Sequence, residues 1–208
     1  MTEKADIIIS GAALNGLAIA LALGGSKSRR PLDTVLIDRR NPRELVSDTQ
    51  DARASAITAS SQRMLDALGV WQVIAPKAQE MREILVTDAD TRHQSRRAIL
   101  EFGEADHAGR PSAFMVENRH LYEALIDAVE ASPHIRLVTG QAITAYDFGS
   151  AFAEVTCEGD AHYKAPLLVA ADGRQSPARE AAGIATRGWS YGQSAIVTTV
   201  RHKLPHEG

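Results

Sequence analysis

The chain has 208 residues, of which 44% are hydrophobic and 24% are charged, as in a globular protein with one sizeable core and unlike a disordered chain. Its 23 Lys and Arg against 26 Asp and Glu give a net charge of −3, which does not support a dedicated nucleic-acid binder. A single cysteine, Cys157, excludes an intramolecular disulfide framework. The longest apolar stretch, Gly16–Gly25, is far too short to span a bilayer, and we expect a cytoplasmic protein.

The N-terminal part of the chain predicts a βαβ unit. Ala5–Ser10 is a β-branched run that predicts a buried strand, Asn15–Gly25 predicts a helix, and Thr34–Asp38 predicts a second strand. The crossover of such a unit makes its two strands parallel.

The rest of the chain predicts further helices mixed with antiparallel hairpins. Residues 39–51 are polar and predict a loop. Apolar residues at helical spacing predict helices over Ser55–Leu68 and Asn118–Val129, and Ser176–Ala182 predicts a short helix. The further predicted strands are Ile84–Val86, Ala98–Phe102, Ile135–Val138, Ala142–Tyr146, Phe152–Cys157, Tyr163–Ala171 and Ile196–Arg201. The expected class is α/β with antiparallel additions.

The segment GAALNG, residues 11–16, lies between the first predicted strand and its helix, where a dinucleotide-binding G-x-G-x-x-G loop belongs. In such a loop, backbone N–H groups approach a pyrophosphate and the helix N-terminus stabilises its charge. Gly11 suits the tight turn and Gly16 suits a close contact between helix and strand. Ala13 replaces the middle glycine, and its methyl group narrows the space for a ligand. A purely structural turn is the alternative.

Asp38 favours the nucleotide interpretation. It ends the second predicted strand 22 residues after Gly16, where an acidic side chain accepts hydrogen bonds from an adenosine ribose. The alternative is a surface aspartate at the end of a strand. The charge of Asp38 disfavours a ligand with a 2′-phosphate, although Arg39 and Arg40 leave that point open. These residues indicate an ADP-containing ligand and leave FAD and NAD as alternatives.

Residues 167–179 predict a buried strand, an Asp-Gly turn and a short helix with a proline in its first turn. Asp172 at the end of the strand can bind a polyol hydroxyl, and Gly173 permits close approach of the backbone. Ser176 caps the helix, and Arg179 can hydrogen-bond back to the turn. An ordinary strand–turn–helix connection would explain Gly173 and Ser176 alone.

Asp172–Arg179 has the pattern D-G-x-x-S-x-x-R, and with it the chain resembles the flavoprotein aromatic hydroxylases that share the para-hydroxybenzoate hydroxylase fold. Within that group it is most similar to the ubiquinone-biosynthesis hydroxylases. The matching segments are Asp51–Trp71, Val116–Leu125 and Gly188–Val200, so the resemblance extends over nearly the whole chain.

The resemblance implies an α/β fold, namely a Rossmann-like FAD-binding domain of the glutathione-reductase type with strands of an incomplete mixed substrate sheet. Those substrate-domain strands would lie at residues 80–105 and 188–202. The family carries a second Gly-Asp motif. The segment Gly159–His162 (GDAH) matches that motif only by its letters, because the segment lies between two predicted strands, a position that predicts a hairpin turn. We therefore expect residues 1–208 to be the FAD-binding N-terminal part of a longer enzyme.

The resemblance also implies roles for individual residues. The glycine loop would take the FAD pyrophosphate and Asp38 the adenosine ribose. Arg53 would lie along the flavin side, Arg119 would pair with the phosphates or cover the ribityl chain, and Asp172 would bind the ribityl or pyrophosphate region. For the two arginines the alternative is a solvated or structural ion pair. The implied cofactor-binding residues are Gly11, Ala13, Leu14, Asn15, Gly16, Asp38, Arg39, Arg53, Arg119, Asp172 and Gly173.

The implied activity is hydroxylation of a prenylated phenol by FAD, NAD(P)H and O2 in ubiquinone biosynthesis, although we expect this chain alone to lack it. The sequence shows no catalytic acid or base and no metal-ligand spacing. Tyr191 and Gln193 match a segment that the resemblance places on the substrate side. A greasy substrate leads us to expect peripheral contact with the inner membrane or with partner enzymes, and unpaired strands lead us to expect homo-oligomers.

Two alternatives to a monooxygenase stay open. The chain could be a non-catalytic nucleotide-binding or scaffold module. It could also be an NAD-dependent dehydrogenase, which would leave Asp172–Arg179 and the segment around Arg53 unexplained.

Overall fold

A computed structural model describes residues 2–47, 53–90, 95–103, 111–196, 198, 200 and 202–208. The strands are β1 (Thr2–Lys4), β2 (Ile7–Ser10), β3 (Thr34–Asp38), β4 (Ala54–Thr58), β5 (Gln79–Met81), β6 (Ile84–Asp90), β7 (Ser95–Phe102), β8 (Ala113–Glu117), β9 (Ile135–Thr139), β10 (Ile143–Phe148), β11 (Ala153–Cys157), β12 (His162–Ala165) and β13 (Leu167–Ala170). The helices are α1 (Leu14–Gly24), α2 (Arg43–Ser47), α3 (Ala59–Ala67), α4 (Trp71–Ile74), α5 (Asn118–Glu130) and α6 (Pro177–Ala181).

A parallel sheet of four strands, in the order β13-β2-β3-β9, forms the centre of the fold. All of β2 and the first four residues of β3 are buried, as expected for parallel strands covered on both faces. The register pairs Ser10 of β2 with Ile37 of β3 and Ala170 of β13. These three strands therefore end level with one another at the C-terminal edge of the sheet.

The two faces of the parallel sheet are covered by different layers. Because successive side chains of a strand point to opposite faces, Ile7 and Ile9 pack in the core formed with α1 and α5, whereas Ile8 packs against the antiparallel part of the sheet β1-β12-β11-β10. Buried Ser132, just after α5, donates from its hydroxyl to the carbonyl oxygen of Gly24 at 2.6 Å. This bond joins the C-terminal ends of α1 and α5, so both helices begin at the C-terminal edge of the sheet.

Two smaller sheets complete the described fold. The first is antiparallel, in the order β4-β8-β5, and the core beneath it includes the edge contact of Trp71 with Phe114, whose ring centroids are 5.0 Å apart. The second consists of β6 and β7 alone, and we call it the β6–β7 ribbon. Within the described part of the chain, no helix is long and apolar enough to cross a membrane.

The predicted βαβ unit, the helix over Asn118–Val129 and most of the predicted strands are confirmed to within a few residues. The hairpin at Gly159–His162 is also confirmed, because antiparallel β11 and β12 flank it and Gly159 and Asp160 have φ of 76° and 60°. The ribbon lies within the predicted substrate-domain range of residues 80–105. Its assignment to a substrate sheet stays a prediction.

Other predictions were wrong. Residues 55–58 were predicted as the start of a helix but belong to β4, because they pair with β8, which the sequence did not suggest, and the helix begins after Thr58 caps it. The predicted loop at residues 39–51 contains a short helix, α2. Arg43 of this helix forms ion pairs with Asp127 and Glu130, which attach α2 to α5. Residues 48–52 lie outside the described part.

The predicted strand Tyr163–Ala171 is two strands, β12 and β13, which belong to different sheets. Pro166 separates them, since it has no N–H to donate to a strand ladder. The predicted strand Ile196–Arg201 is not observed at the described residues 196, 198 and 200, and its other residues lie outside the described part. The sequence also gave no indication of β1, β5 or α4.

Candidate functional site

The glycine loop turns from β2 into α1 at the C-terminal edge of the parallel sheet. Gly11 has φ of 103°, and a Cβ at this position would lie 2.4 Å from the carbonyl oxygen of Ala171. A Cβ at Gly16 would lie 1.8 Å from the carbonyl oxygen of Gly11. A side chain fits at neither position, so the close approach of α1, β2 and the turn after β13 requires both glycines.

The N-terminus of α1 carries no side-chain cap. Ala13 occupies the N-cap position without a side-chain hydrogen bond, and the first turn holds no acidic residue. Ala13 and Asn15 are exposed and Leu14 is half-buried. The first N–H groups of a helix have no partners within the helix, and their partial positive charge favours an anion.

Asp38 fastens the glycine loop to the end of β3. Its Oδ2 accepts a hydrogen bond from the Ala12 N–H at 2.7 Å, and its Oδ1 accepts one from the Arg40 N–H at 2.9 Å. Each carboxylate oxygen keeps a second acceptor position, so Asp38 can also accept hydrogen bonds from ribose hydroxyls without releasing the loop. Arg39 beside it is exposed.

The turn after β13 lies directly against the glycine loop. Asp172 accepts a hydrogen bond on Oδ2 from the Ala178 N–H at 3.0 Å, whereas its Oδ1 is buried and has no hydrogen-bond partner among the described residues. Ser176 caps α6 by accepting from the Arg179 N–H at 3.1 Å, and the Arg179 guanidinium donates to the Arg174 carbonyl oxygen, as the sequence predicted. Gly173 is exposed with φ of 92°.

The two predicted arginines come from neighbouring segments. The Arg53 carbonyl oxygen accepts a hydrogen bond from the Asn118 N–H at 2.9 Å, which brings the start of β4 to the start of α5, where Arg119 lies. Arg119 pairs through Nε with Glu117 Oε2 at 2.8 Å, and both side chains are half-exposed. This is the ion pair that the sequence left open as an alternative. Because α5 begins at the C-terminal edge, an anion bound there would compete with Glu117 for Arg119.

A hydroxyl pair that the sequence analysis missed lies beneath the glycine loop. Buried Ser10 contacts the hydroxyl of half-buried Tyr146, with their oxygens 3.1 Å apart. Burial raises the pKa of Tyr146; the Ser10 hydrogen bond opposes this rise, and the charge of Asp172 adds to it. The only sequence signal was the polar residue that ends the apolar run IIIS. Tyr191 and Gln193 are exposed and lie in no helix or strand, so their role stays a prediction.

The comparison with protein families decides between the ligand alternatives. Residues 4–206 match the family described as FAD binding domain. The chain belongs to this family. Membership makes FAD its cofactor, rather than the NAD that the βαβ unit alone allowed.

Two named relatives match nearly the whole chain. Over 206 residues the chain is 34% identical to "Ubiquinone hydroxylase UbiL" of Rhodospirillum rubrum, covering 99% of this chain and 46% of that protein. Over 201 residues it is 30% identical to "3-demethoxyubiquinol 3-hydroxylase" of Escherichia coli, covering 96% of this chain and 49% of that protein. The chain therefore spans about half the length of these relatives.

Solved structures support the fold. The p-nitrophenol 4-monooxygenase PnpA of Pseudomonas putida superposes with a TM-score of 0.70 at 17% identity, over 88% of this chain and 44% of that one. The probable FAD-dependent monooxygenase pqsL of Pseudomonas aeruginosa superposes with a TM-score of 0.72 at 16% identity, over 91% of this chain and 48% of that one.

The residues at the C-terminal edge fit the pyrophosphate and ribose portions of FAD. Gly11 and Gly16 carry no side chain that would keep a ligand away from the loop, and the N-terminus of α1 has no side-chain cap. The Asp38 carboxylate can accept further hydrogen bonds besides the one from the Ala12 N–H. The unpartnered Oδ1 of Asp172 adds a buried acceptor next to the loop. The individual contacts of these residues with FAD stay predictions.

Proposed function

We propose that the chain is the FAD-binding part of a flavin-dependent monooxygenase that hydroxylates a prenylated phenol in ubiquinone biosynthesis, with NAD(P)H as the electron donor. The names of the relatives, a ubiquinone hydroxylase and a 3-demethoxyubiquinol 3-hydroxylase, support this substrate class. When bound, FAD would supply the redox chemistry, which is electron transfer from NAD(P)H and activation of O2. The protein binds the cofactor and orients it.

One observation carries the proposal: the glycine loop, Asp38 and the Asp172 turn meet at the same edge of one parallel sheet. In this arrangement, the N–H groups at the start of α1 would hold the pyrophosphate, and the Asp38 carboxylate would accept hydrogen bonds from the adenosine ribose. Arg119 would contribute positive charge toward the phosphates if it exchanged Glu117 for the ligand.

The chemistry of the substrate suggests where the whole protein works. A prenylated phenol partitions into a bilayer, so we infer transient contact with the inner membrane or with other enzymes that handle the same lipid. Separately, we expect the chain to associate with copies of itself through the β6–β7 ribbon.

Titration of the purified protein with FAD, followed by flavin fluorescence, tests the cofactor assignment. We expect saturable binding of FAD and no binding of NAD at equal concentrations. Asp38→Ala and Asp172→Ala should each weaken FAD binding about tenfold or more, because each removes a charged acceptor from the site. Asp147→Ala is the matched control, because Asp147 is an exposed aspartate on β10 outside the cofactor motifs.

Turnover is tested separately, in a protein extended to the length of the relatives. We expect oxidation of NADH or NADPH that depends on a prenylated phenol, together with a product one oxygen atom heavier. Failure of both the chain and the extended protein to bind FAD would contradict the cofactor assignment. FAD binding without hydroxylation of any prenylated phenol would contradict only the substrate.

A further inference from the structure

Two hydrogen bonds join β4 to the start of α5. The Ser55 hydroxyl donates to Oδ1 of Asn118 at 2.6 Å, and the Asn118 N–H donates to the Arg53 carbonyl oxygen at 2.9 Å. Between these two bonds, Ala54 pairs with Glu117 in the antiparallel ladder. Asn118 is therefore held to the neighbouring strand through both its main chain and its side chain. We call the hydrogen-bonded side chains of Ser55 and Asn118 the Ser55–Asn118 bridge.

The bridge lies where the β-ladder ends and the helix begins. The paired residues of β4 and β8 end with Ala54 and Glu117, and α5 starts at the next residue, Asn118. Glu117 occupies the N-cap position without a side-chain capping bond, so a cap does not hold the first turn of α5 in place. Ser55 and Asn118 are both half-buried, and a hydrogen bond gains strength where less water competes for it. The bridge therefore helps to fix the position of the first turn of α5.

Arg119 follows the bridge directly in this first turn. Its Nε pairs with Glu117 Oε2 at 2.8 Å, and both side chains are half-exposed. An ion pair with this exposure contributes little free energy, so an anionic ligand can take the guanidinium from Glu117. The backbone that carries Arg119 is held by Asn118, whose side chain is oriented by Ser55. The bridge thus sets the point from which the Arg119 side chain reaches out.

The start of α5 is at the same edge of the parallel sheet as the glycine loop. Leu17 of α1 and Leu121 of α5 are buried in one core, and both helices begin at the C-terminal edge. The N–H groups at the start of α1 favour an anion, and a guanidinium on a neighbouring helix adds positive charge for the same ligand. The position of Arg119 therefore matters for a dianionic pyrophosphate.

We propose that Ser55 and Asn118 are positioning residues of the cofactor site: their hydrogen bond holds the first turn of α5 against β4, so that the Arg119 guanidinium can act on the pyrophosphate. The inference rests on the proposed binding of FAD at this edge and deepens it. Neither residue is among the implied cofactor-binding residues, and both act through Arg119.

A double-mutant cycle within the bridge tests whether its two residues act as one unit. Ser55→Ala and Asn118→Ala should each weaken FAD binding about fivefold, the size expected for one hydrogen bond. Because both changes remove the same bond, the double variant should bind FAD within about twofold of the weaker single variant. A double variant weakened about 25-fold would mean that the two residues act independently, and would overturn the proposal.

A second cycle tests whether the effect passes through Arg119. In the Arg119→Gln background, Ser55→Ala should weaken FAD binding by less than about twofold, because the cation that it positions is already gone. Equal weakening with and without Arg119 would mean that the bridge only supports the fold. Thr144→Val is the matched control, because the Thr144 hydroxyl donates to the Thr156 carbonyl oxygen at 3.1 Å, outside the cofactor motifs. It should keep FAD affinity within twofold of the wild type, and a fivefold loss there would count against the proposal.

A readout without cofactor separates this proposal from the FAD assignment. In the ¹⁵N-labelled protein, the Nε–H signal of Arg119 is assigned by its loss in Arg119→Gln, and it reports the contact with Glu117. This signal should shift in Ser55→Ala, although Ser55 belongs to another element, and should keep its position in Thr144→Val. An unchanged Arg119 signal in Ser55→Ala would overturn the proposal, whether or not FAD binds.

Discussion

At the scale of single residues, Gly16 sets the distance between α1 and the loop. We expect Gly16→Ala to abolish detectable FAD binding and to lower the free energy of unfolding by about 3 kcal/mol, the upper end of the usual range for overpacking changes. The reason is that the new Cβ would lie 1.8 Å from the Gly11 carbonyl oxygen, a backbone atom that cannot rotate away. Urea unfolding and FAD titration measure the two effects.

Two other positions serve as controls for this change. A Cβ at Gly188 would meet no atom within 4 Å, so Gly188→Ala should leave both measurements unchanged. Ala13→Gly changes the loop in the opposite sense, because it removes an exposed methyl group at the N-cap, and FAD should bind as tightly as in the wild type or more tightly. A Gly16→Ala protein with wild-type FAD affinity would contradict the loop geometry described here.

At the scale of elements, the turn of the β11–β12 hairpin contains the GDAH segment, residues 159–162. This segment matches the family's second Gly-Asp motif in its letters but not in its structure. Gly159 and Asp160 both have positive φ, as a tight hairpin turn requires, and alanine is strained in that conformation. We expect Asp160→Ala to cost about 1 kcal/mol of stability and to leave FAD affinity unchanged. Asp160→Gly should recover the stability, because glycine adopts positive φ freely. Weaker FAD binding in Asp160→Gly would contradict the assignment of GDAH to a turn.

The elements also explain what the sequence could predict. The βαβ unit was predictable because an apolar strand, a glycine turn and an Ala- and Leu-rich helix are local patterns. The strand at residues 54–58 was missed because its conformation depends on pairing with β8, about 60 residues away, and that pairing overrides local helical spacing. Pro166 was a local signal for the break between β12 and β13 that the long apolar run concealed.

At the scale of the whole molecule, the candidate site was predictable in part. Parallel strands end at one edge, so a turn after β2 and a turn after β13 had to come together once both strands were recognised. Ser10 and Tyr146 meet across two layers and are 136 residues apart, and no spacing rule relates such residues. The sequence likewise left open an ion pair for Arg119, and only the folded structure identifies Glu117 as its partner.

The whole molecule also presents the β6–β7 ribbon, which pairs with no other strand in the described part of the chain. Leu85 and Ile99 of the ribbon are 58% and 62% exposed, and exposed apolar strands associate with one another. We expect the 208-residue chain to self-associate as its concentration rises, as measured by sedimentation velocity. The double variant Leu85→Thr with Ile99→Thr should associate less and bind FAD equally well, because threonine keeps the strand propensity and removes apolar surface.

Val73→Thr is the matched control for the ribbon, because Val73 is 64% exposed on α4, outside the ribbon. It should associate like the wild type. If it weakened association as much as the ribbon variant does, general surface hydrophobicity would be responsible. If the ribbon variant associated as strongly as the wild type, another surface would hold the copies together. The ribbon would then be an exposed pair of strands with no part in association.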